Sequence, residues 1–374
     1  MLSGLDYSVL TADVLGVMLI LTMYFSNRQR VKTDKDMSII RNMMFICFFA
    51  CVSDSVVYYF EGIPGIPMHI IMLICGSWLF LSNVLIGSAW VKFLTLHLNI
   101  PFSGTRKKVY FVLKTFGFLL LFINLFKPFV FTVEGNVYDR GNGYWIFLGI
   151  AIVFIVDSLV LYYRCRNKVG ILKFFPVSIF LLPVIAGISI QVPFYEMSII
   201  WPSVAIGLAG VLTALKNEVI YTDKLTGLYN RAYLEFLEER GDLRKNANLS
   251  GIMIDLNEFK EINDSYGHSV GDEALCIAGD IFNEAFGEYG VVMRYAGDEF
   301  VILLNTKDTN LIESLIDKAN RCFEDYNATG KKPYRLSAAM GYAVADFSRE
   351  SMDEFLNSID SEMYKNKIAY NKTR

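Results

Sequence analysis

The chain has 374 residues, of which 53% are hydrophobic and only 20% charged, and its 35 Lys and Arg against 38 Asp and Glu give a formal charge of −3. Soluble domains usually carry about 25% charged residues, so the surplus of apolar residues means either one very apolar core or a membrane region beside an ordinary domain, which its distribution decides. No broad basic surface exists for a nucleic acid polymer, and six cysteines without a C-x-x-C pair, with three histidines, argue against a zinc site or a disulfide scaffold.

The apolar excess lies almost wholly before Lys216. About 20 mainly apolar residues are needed to cross roughly 30 Å of hydrocarbon. Seven stretches approach this: Val9 to Phe25, Ser38 to Phe60, Pro67 to Leu94, Val109 to Val130, Tyr144 to Tyr163, Phe174 to Pro193 and Ser198 to Leu215. Basic residues alternate between them. Arg28, Arg30, Lys32 and Lys35 follow the first stretch, Arg106, Lys107 and Lys108 the third, and Arg164, Arg166, Lys168 and Lys173 the fifth. The other loops hold little beyond Arg140. Odd loops therefore face the cytosol, which puts the N-terminus outside and everything after Leu215 inside. Met1 to Ser8 contains Asp6 and no basic residue, unlike the start of a cleaved signal peptide. The expectation for residues 1–215 is an all-α transmembrane bundle of about seven helices in a lipid bilayer, acting as a sensor or an anchor.

Asp13, Asp54, Lys127 and Asp157 fall within these stretches. A charge at the centre of a span costs roughly 2.5–3.5 kcal/mol on insertion scales. Each is therefore either satisfied by a neighbouring helix or held for an unknown sensory ligand. The prolines do not interrupt matching segments of two halves, as they do in many transporters. Lys216 to Thr222 is polar and lacks Pro and Gly. It reads as a helical linker over 216–222, either stiff enough to transmit motion or a plain spacer.

From Asp223 onward strands and helices alternate. The pattern predicts helices over Ala232–Glu239, Gly271–Phe286, Leu311–Tyr326 and Met352–Ala369, with Asp272 in the first turn of the second. It predicts strands over Ser250–Leu256, Val291–Arg294, Phe300–Leu304 and Tyr334–Val344, the middle two joined by a tight hairpin at Tyr295 to Glu299. Helices over a mainly antiparallel sheet make an α+β domain. Asp255 ends one strand and Asp298 with Glu299 sits at the hairpin. Adjacent strands lie about 4.8 Å apart, so these acids can converge. Such a group suits a hard cation such as magnesium, which takes few carboxylates and completes its shell with water and phosphate oxygens. Gly297 allows a tight turn or a close approach to phosphate.

At this point the chain resembles the GGDEF diguanylate cyclase family. Asp223-Lys224-Leu225-Thr226-Gly227-Leu228-Tyr229-Asn230-Arg231 is similar to the family's opening motif. Asp255 to Lys260, Ile262-Asn263-Asp264, Gly267-His268 and Gly271-Asp272 resemble its middle stretch, and Arg294 to Phe300 its signature. Asp360, Tyr364 and Lys367 keep the spacing of its closing helix. The resemblance covers residues 223–374 and implies a homodimeric enzyme of the bacterial cytoplasmic membrane that condenses two GTP into cyclic di-GMP. It implies that Asp255 and Asp298, with the Leu256 carbonyl and Glu299, bind two Mg²⁺, and that Asp298 acts as base with Glu299 beside it. Asn263 and Asp272 would recognise guanine, which offers N–H donors where adenine does not. His268 would line the nucleotide site, Leu275 would cover the base, Lys260 and Lys367 would meet phosphates, and Gly297 would approach them by its backbone. Ala296 stands where the signature has its first glycine, Asn257 where an aspartate is frequent and Asn371 where a basic residue is frequent. Gly287 and Gly290 replace the arginine and aspartate of the product-inhibition motif. The alternative is a receptor that binds a nucleotide without turning it over.

Overall fold

The computed structural model describes residues 4–26, 35–98, 100, 103–169, 177–194, 197–241, 243, 246 and 248–372. The expected basic residues Arg28, Arg30, Lys32 and Lys173 lie outside them, as does the side chain of Asn371. The chain divides into two compact units: Met1–Tyr163 with Phe175–Leu215, and Arg164–Phe174 with Lys216–Arg374.

The first unit is helical. In chain order it contains α1 (Gly4–Ser26), α2 (Lys35–Phe60), α3 (Ile66–His97), α4 (Gly104–Asn124), most of α5 (Tyr144–Val169), α6 (Ser178–Gln191) and most of α7 (Ile200–Glu218). Five of these, α1, α2, α3, α5 and α7, are long and apolar enough to cross a membrane. The other two expected spans contract. The stretch from Val109 to Val130 ends as helix at Asn124, because the Asn124 side chain takes over the backbone beyond it. Its Oδ1 accepts the N–H groups of Phe129, Val130 and Phe131 at 2.7, 2.6 and 3.4 Å, and its Nδ2 donates to the Phe131 carbonyl at 3.1 Å. The chain then forms a hairpin of β1 (Phe131–Glu134) and β2 (Val137–Arg140). Gly135 and Asn136 both have positive φ, 59° and 61°, the requirement of a two-residue type I′ turn. The stretch from Phe174 to Pro193 yields only the 14-residue α6, which contains Pro183.

Several part-buried polar groups here pair between segments. Arg106 of α4 donates to Asp157 of α5 at 2.9 Å, and the Tyr110 hydroxyl bonds the other oxygen of that carboxylate. Gln191 accepts the N–H groups of Ile199 and Ile200 at 3.0 and 2.9 Å, anchoring the start of α7. Trp90 stacks on Phe180 with ring centroids 4.1 Å apart.

The second unit is built on a five-stranded sheet of order β3-β5-β6-β4-β7. Its strands are β3 (Tyr229–Asn230), β4 (Leu249–Leu256), β5 (Gly290–Ala296), β6 (Glu299–Asn305) and β7 (Ala338–Val344). Only the β3–β5 pairing is parallel, so the sheet is mainly antiparallel as expected. The helices are α8 (Arg231–Glu239), α9 (Phe259–Tyr266), α10 (His268–Phe286), α11 (Thr309–Ala328) and α12 (Met352–Lys372). Central β4 is buried along its whole length, so its alternating side chains feed two cores. Ile252, Ile254 and Leu256 pack with Phe282, Phe286 and Phe323, while Met253 packs with Leu237, Phe355 and Ile359 on the opposite face.

Three details differ from the sequence reading. The second helix starts at His268, so Asp272 stands one turn inside it rather than in its first turn. Residues 259–266 form a short helix, because the left-handed backbone of Glu258, φ 57°, turns the chain sharply off β4. The last strand is confined to Ala338–Val344, and Tyr334 and Leu336 instead pack into the core. The segment after Leu215 continues α7 to Glu218 and closes in a 3₁₀ turn at Val219–Tyr221.

Candidate functional site

The site gathers where β4 ends and β6 begins. Antiparallel register sets Asp255 directly opposite Glu299. Asp298 precedes Glu299 in the β5–β6 turn, and its carbonyl accepts the N–H of Leu256 at 3.3 Å. Gly297, at φ +48°, supplies the left-handed residue that the turn needs. The acids are thus brought together by strand pairing and a turn, both local consequences of the apolar runs that flank them.

Arg294 fixes the turn from behind. Its Nε donates to the Gly297 carbonyl at 2.9 Å, and its Nη1 reaches both oxygens of Asp223 at 3.2 and 3.4 Å. Asp223 in turn accepts the N–H and the hydroxyl of Thr226 at 2.9 and 2.8 Å. Burial alone would raise the Asp223 carboxyl, but the bonds from Thr226 and Arg294 outweigh it and hold the group below its ordinary value. Asn230 caps α8 by accepting the N–H of Tyr233 at 3.3 Å and donates to the Ile220 and Thr222 carbonyls. The sequence flagged Asp223, Asn230 and Arg294 as motif members but assigned them no role.

Lys367 arrives from α12 and places Nζ 2.5 Å from Asp255 Oδ1. The expected phosphate contact is therefore already beside the acids. Burial, and then the negative charge of Asp255, push the Asp298 carboxyl above its ordinary value, with Lys367 and Arg294 opposing. Glu299 is raised by burial first, then by Asp255, Asp298 and Asp360. Among the described residues no group of three or more His, Cys, Asp or Glu forms a ready cage for a metal. The acids still fit magnesium, because two opposed carboxylates share only one nearby lysine and that ion needs few protein ligands.

The remaining candidates lie on α9 and α10. Asn263 is half-buried, and its Oδ1 would lie 2.0 Å from a Cβ at position 271, so Gly271 makes room for it. Lys260, His268 and Asp272 are exposed, and none has a described bond to the acid group. Leu275, expected over a base, is 2% exposed and belongs to the core. Asn257 pins the end of β4, donating its N–H to the Ser337 carbonyl at 2.9 Å and Nδ2 to the Ser337 hydroxyl at 3.0 Å. Ala296 is exposed and lacks a positive φ, so its methyl group is accommodated. A Cβ at Gly287 or Gly290 would meet backbone oxygens at 2.5 and 2.0 Å, so larger residues do not fit there without a shift.

The profile of the family described as "Diguanylate cyclase, GGDEF domain" matches residues 220–373. Diguanylate cyclase DgcM of Escherichia coli K12 is 30% identical over 148 residues, 39% of this chain and 35% of that protein. Diguanylate cyclase A of Treponema denticola is 26% identical over 183 residues, 46% of this chain and 48% of that protein. The chain thus spans a third to a half of the length of these relatives. The crystal structure of the coiled coil and GGDEF domain of DgcB from Caulobacter crescentus, in complex with c-di-GMP, aligns with a TM-score of 0.38 and 18% identity. That alignment covers 43% of this chain and 87% of that one.

Proposed function

We propose, from the premise that residues 220–373 are a GGDEF domain with diguanylate cyclase homologues, that this chain is a membrane-bound diguanylate cyclase. It would condense two GTP into cyclic di-GMP and release two pyrophosphates. The observation that carries the reading is the pairing of Asp255 with Glu299 across two strands, with Asp298 in the adjoining turn.

Each residue has a physical part in that reaction. Asp255, Asp298 and Glu299, with the Leu256 carbonyl, would hold Mg²⁺, which when bound offsets phosphate charge and activates a hydroxyl. Asp298, its carboxyl raised by burial and by Asp255, is suited to take the proton of the attacking 3′-hydroxyl, because a base works best when its pKa lies nearer the working pH. Glu299 adds negative charge at the metal position. Lys367 is free to exchange Asp255 for a triphosphate oxygen, and Lys260 would approach the same phosphates. Gly297 has no heavy atom within 4 Å of a would-be Cβ, which leaves the turn backbone open to phosphate. Asn263 and Asp272 would accept the guanine N–H donors, His268 would line the nucleotide site and Leu275 would supply its apolar floor.

One domain holds one GTP, so a homodimer must bring two such sites face to face. The five apolar helices support a place in the lipid bilayer, and the alternation of basic loops supports a cytosolic second unit. The boundaries proposed are a membrane unit at 1–215, a helical linker at 216–222 and the cyclase domain at 223–374. An unknown sensory ligand would act through dimer geometry. Incubation of the full-length protein with GTP and Mg²⁺, followed by mass spectrometry, is expected to give cyclic di-GMP, and excess ATP should not compete. A folded protein that binds GTP and releases no cyclic product would instead be a nucleotide receptor.

A further inference from the structure

Asp13 of α1 is fully buried and Asp54 of α2 is 6% exposed. Neither acid belongs to the site above, and both lie in the helical unit. The helices that carry them meet closely. A Cβ on Gly16, one turn from Asp13, would lie 3.1 Å from Cys51 Sγ and 3.5 Å from Pro202 Cα. That brings α1, α2 and the first turn of α7 together. The Ser55 hydroxyl donates to Asp13 Oδ2 at 3.3 Å, and the Ser198 hydroxyl donates to Asp54 Oδ2. Asp13 Oδ1 is buried and has no hydrogen-bond partner.

The charges around this pair do not balance. Among the described residues, the ionisable groups that act on it are Cys51 and Tyr58 of α2 and Tyr138 and Arg140 of β2, with Cys47 acting on Cys51. Arg140 is the only cation in that set, and its Nη1 also donates to the Gln191 carbonyl at 3.3 Å. Two carboxylates against one guanidinium leave one negative charge in a buried place, and hydroxyl donors alone are a poor substitute for water around it. An orphaned carboxylate oxygen at such a point favours a positive partner.

We infer that Asp13 and Asp54, with the Ser55 and Ser198 hydroxyls, bind one monovalent cation, a proton or a sodium-sized ion, where α1, α2 and α7 meet. The donor set is all oxygen, which suits a hard ion. Two carboxylates balanced in part by Arg140 call for a single positive charge rather than a divalent one. The sites of Asp157 and Asp13 differ in just this respect, since Asp157 already has Arg106 and Tyr110.

The test uses the full-length protein in lipid nanodiscs and reads its unfolding temperature. One arm titrates sodium chloride against potassium and choline chloride at fixed pH and ionic strength. The other runs from about pH 5 to pH 9 at fixed salt, where a bound proton stabilises the fold at low pH and is lost as pH rises. A saturable rise specific to sodium assigns a sodium-sized ion. A fall with rising pH that ignores the cation assigns a proton. In either case Asp13→Asn should abolish the dependence, Ser55→Ala should shift its midpoint severalfold, and Asp157→Asn should leave it in place. Identical cation and pH profiles in the wild type and Asp13→Asn would overturn the inference. If Asp13→Asn does not fold, an unshifted midpoint in Ser55→Ala overturns it.

Discussion

The two units treat their charged residues in opposite ways. In the helical unit Asp157 is closed off by Arg106 and Tyr110, at side-chain exposures of 21% and 16% for the ion pair, and the contact holds helices together. In the sheet unit Asp255 faces Glu299 across two strands, with one lysine between a set of like charges. The first arrangement pairs opposite charges; the second sets like charges together, which in the proposed function is what a cation would offset. A carboxylate matched by arginine and tyrosine holds helices together, whereas the acids at the strand ends are the ones proposed to serve a reaction.

Substitutions can break that contrast. The largest effect is expected at Asp255: Asp255→Asn should lower cyclic di-GMP formation by at least about 10²-fold, the scale of losing one preorganised charge-stabilising group, read as initial rate at saturating GTP. Next come the two arginines. Arg106→Met strands Asp157 and should cost the helical unit about 1–3 kcal/mol, seen as a lower unfolding temperature with the turnover of folded protein unchanged. Arg294→Ala should cost a similar amount and also slow turnover, because it releases the Gly297 carbonyl as well as Asp223. Equal loss of activity in both variants would erase the distinction between the units.

How far the sequence revealed this depends on how local the cause is. Strand β4, the hairpin turn and the placing of Asp255 opposite Glu299 follow from apolar runs, one glycine and period-2 alternation, and all were legible. Helix α9 was not: Phe259, Ile262 and Tyr266 keep helical spacing, but the helix is only eight residues long and its start depends on the backbone of Glu258. The stop of α4 depended on a side chain, Asn124, gathering backbone N–H groups of residues it does not adjoin. Contacts between distant positions, Lys367 with Asp255 and Arg294 with Asp223, are tertiary and leave no spacing signal. The partners of Asp157 were invisible for the same reason.

Smaller effects sharpen the account. Lys367→Met should raise the KM for GTP about tenfold, the scale of one lost charge-assisted contact, with a smaller change in kcat. In the absence of nucleotide it should strengthen Mg²⁺ binding, because Asp255 loses its competing partner; weaker Mg²⁺ binding would contradict this. Ala296→Gly should change turnover less than about twofold, since the alanine already sits in an ordinary backbone conformation.

The most direct measurement pairs activity with stability in wild type and Asp298→Asn. The Asp298 carboxyl is raised in the fold, so its ionised form is disfavoured there, and that cost is present at neutral pH and fades as pH falls through the raised value. Asp298→Asn is expected to lose cyclic di-GMP formation while its metal-free form unfolds at a higher temperature than the wild type, by a margin that narrows toward acid pH. A variant that keeps its activity, or one that unfolds at a lower temperature than the wild type at neutral pH, would contradict the claim that these acids are held in mutual repulsion for a metal and a nucleotide.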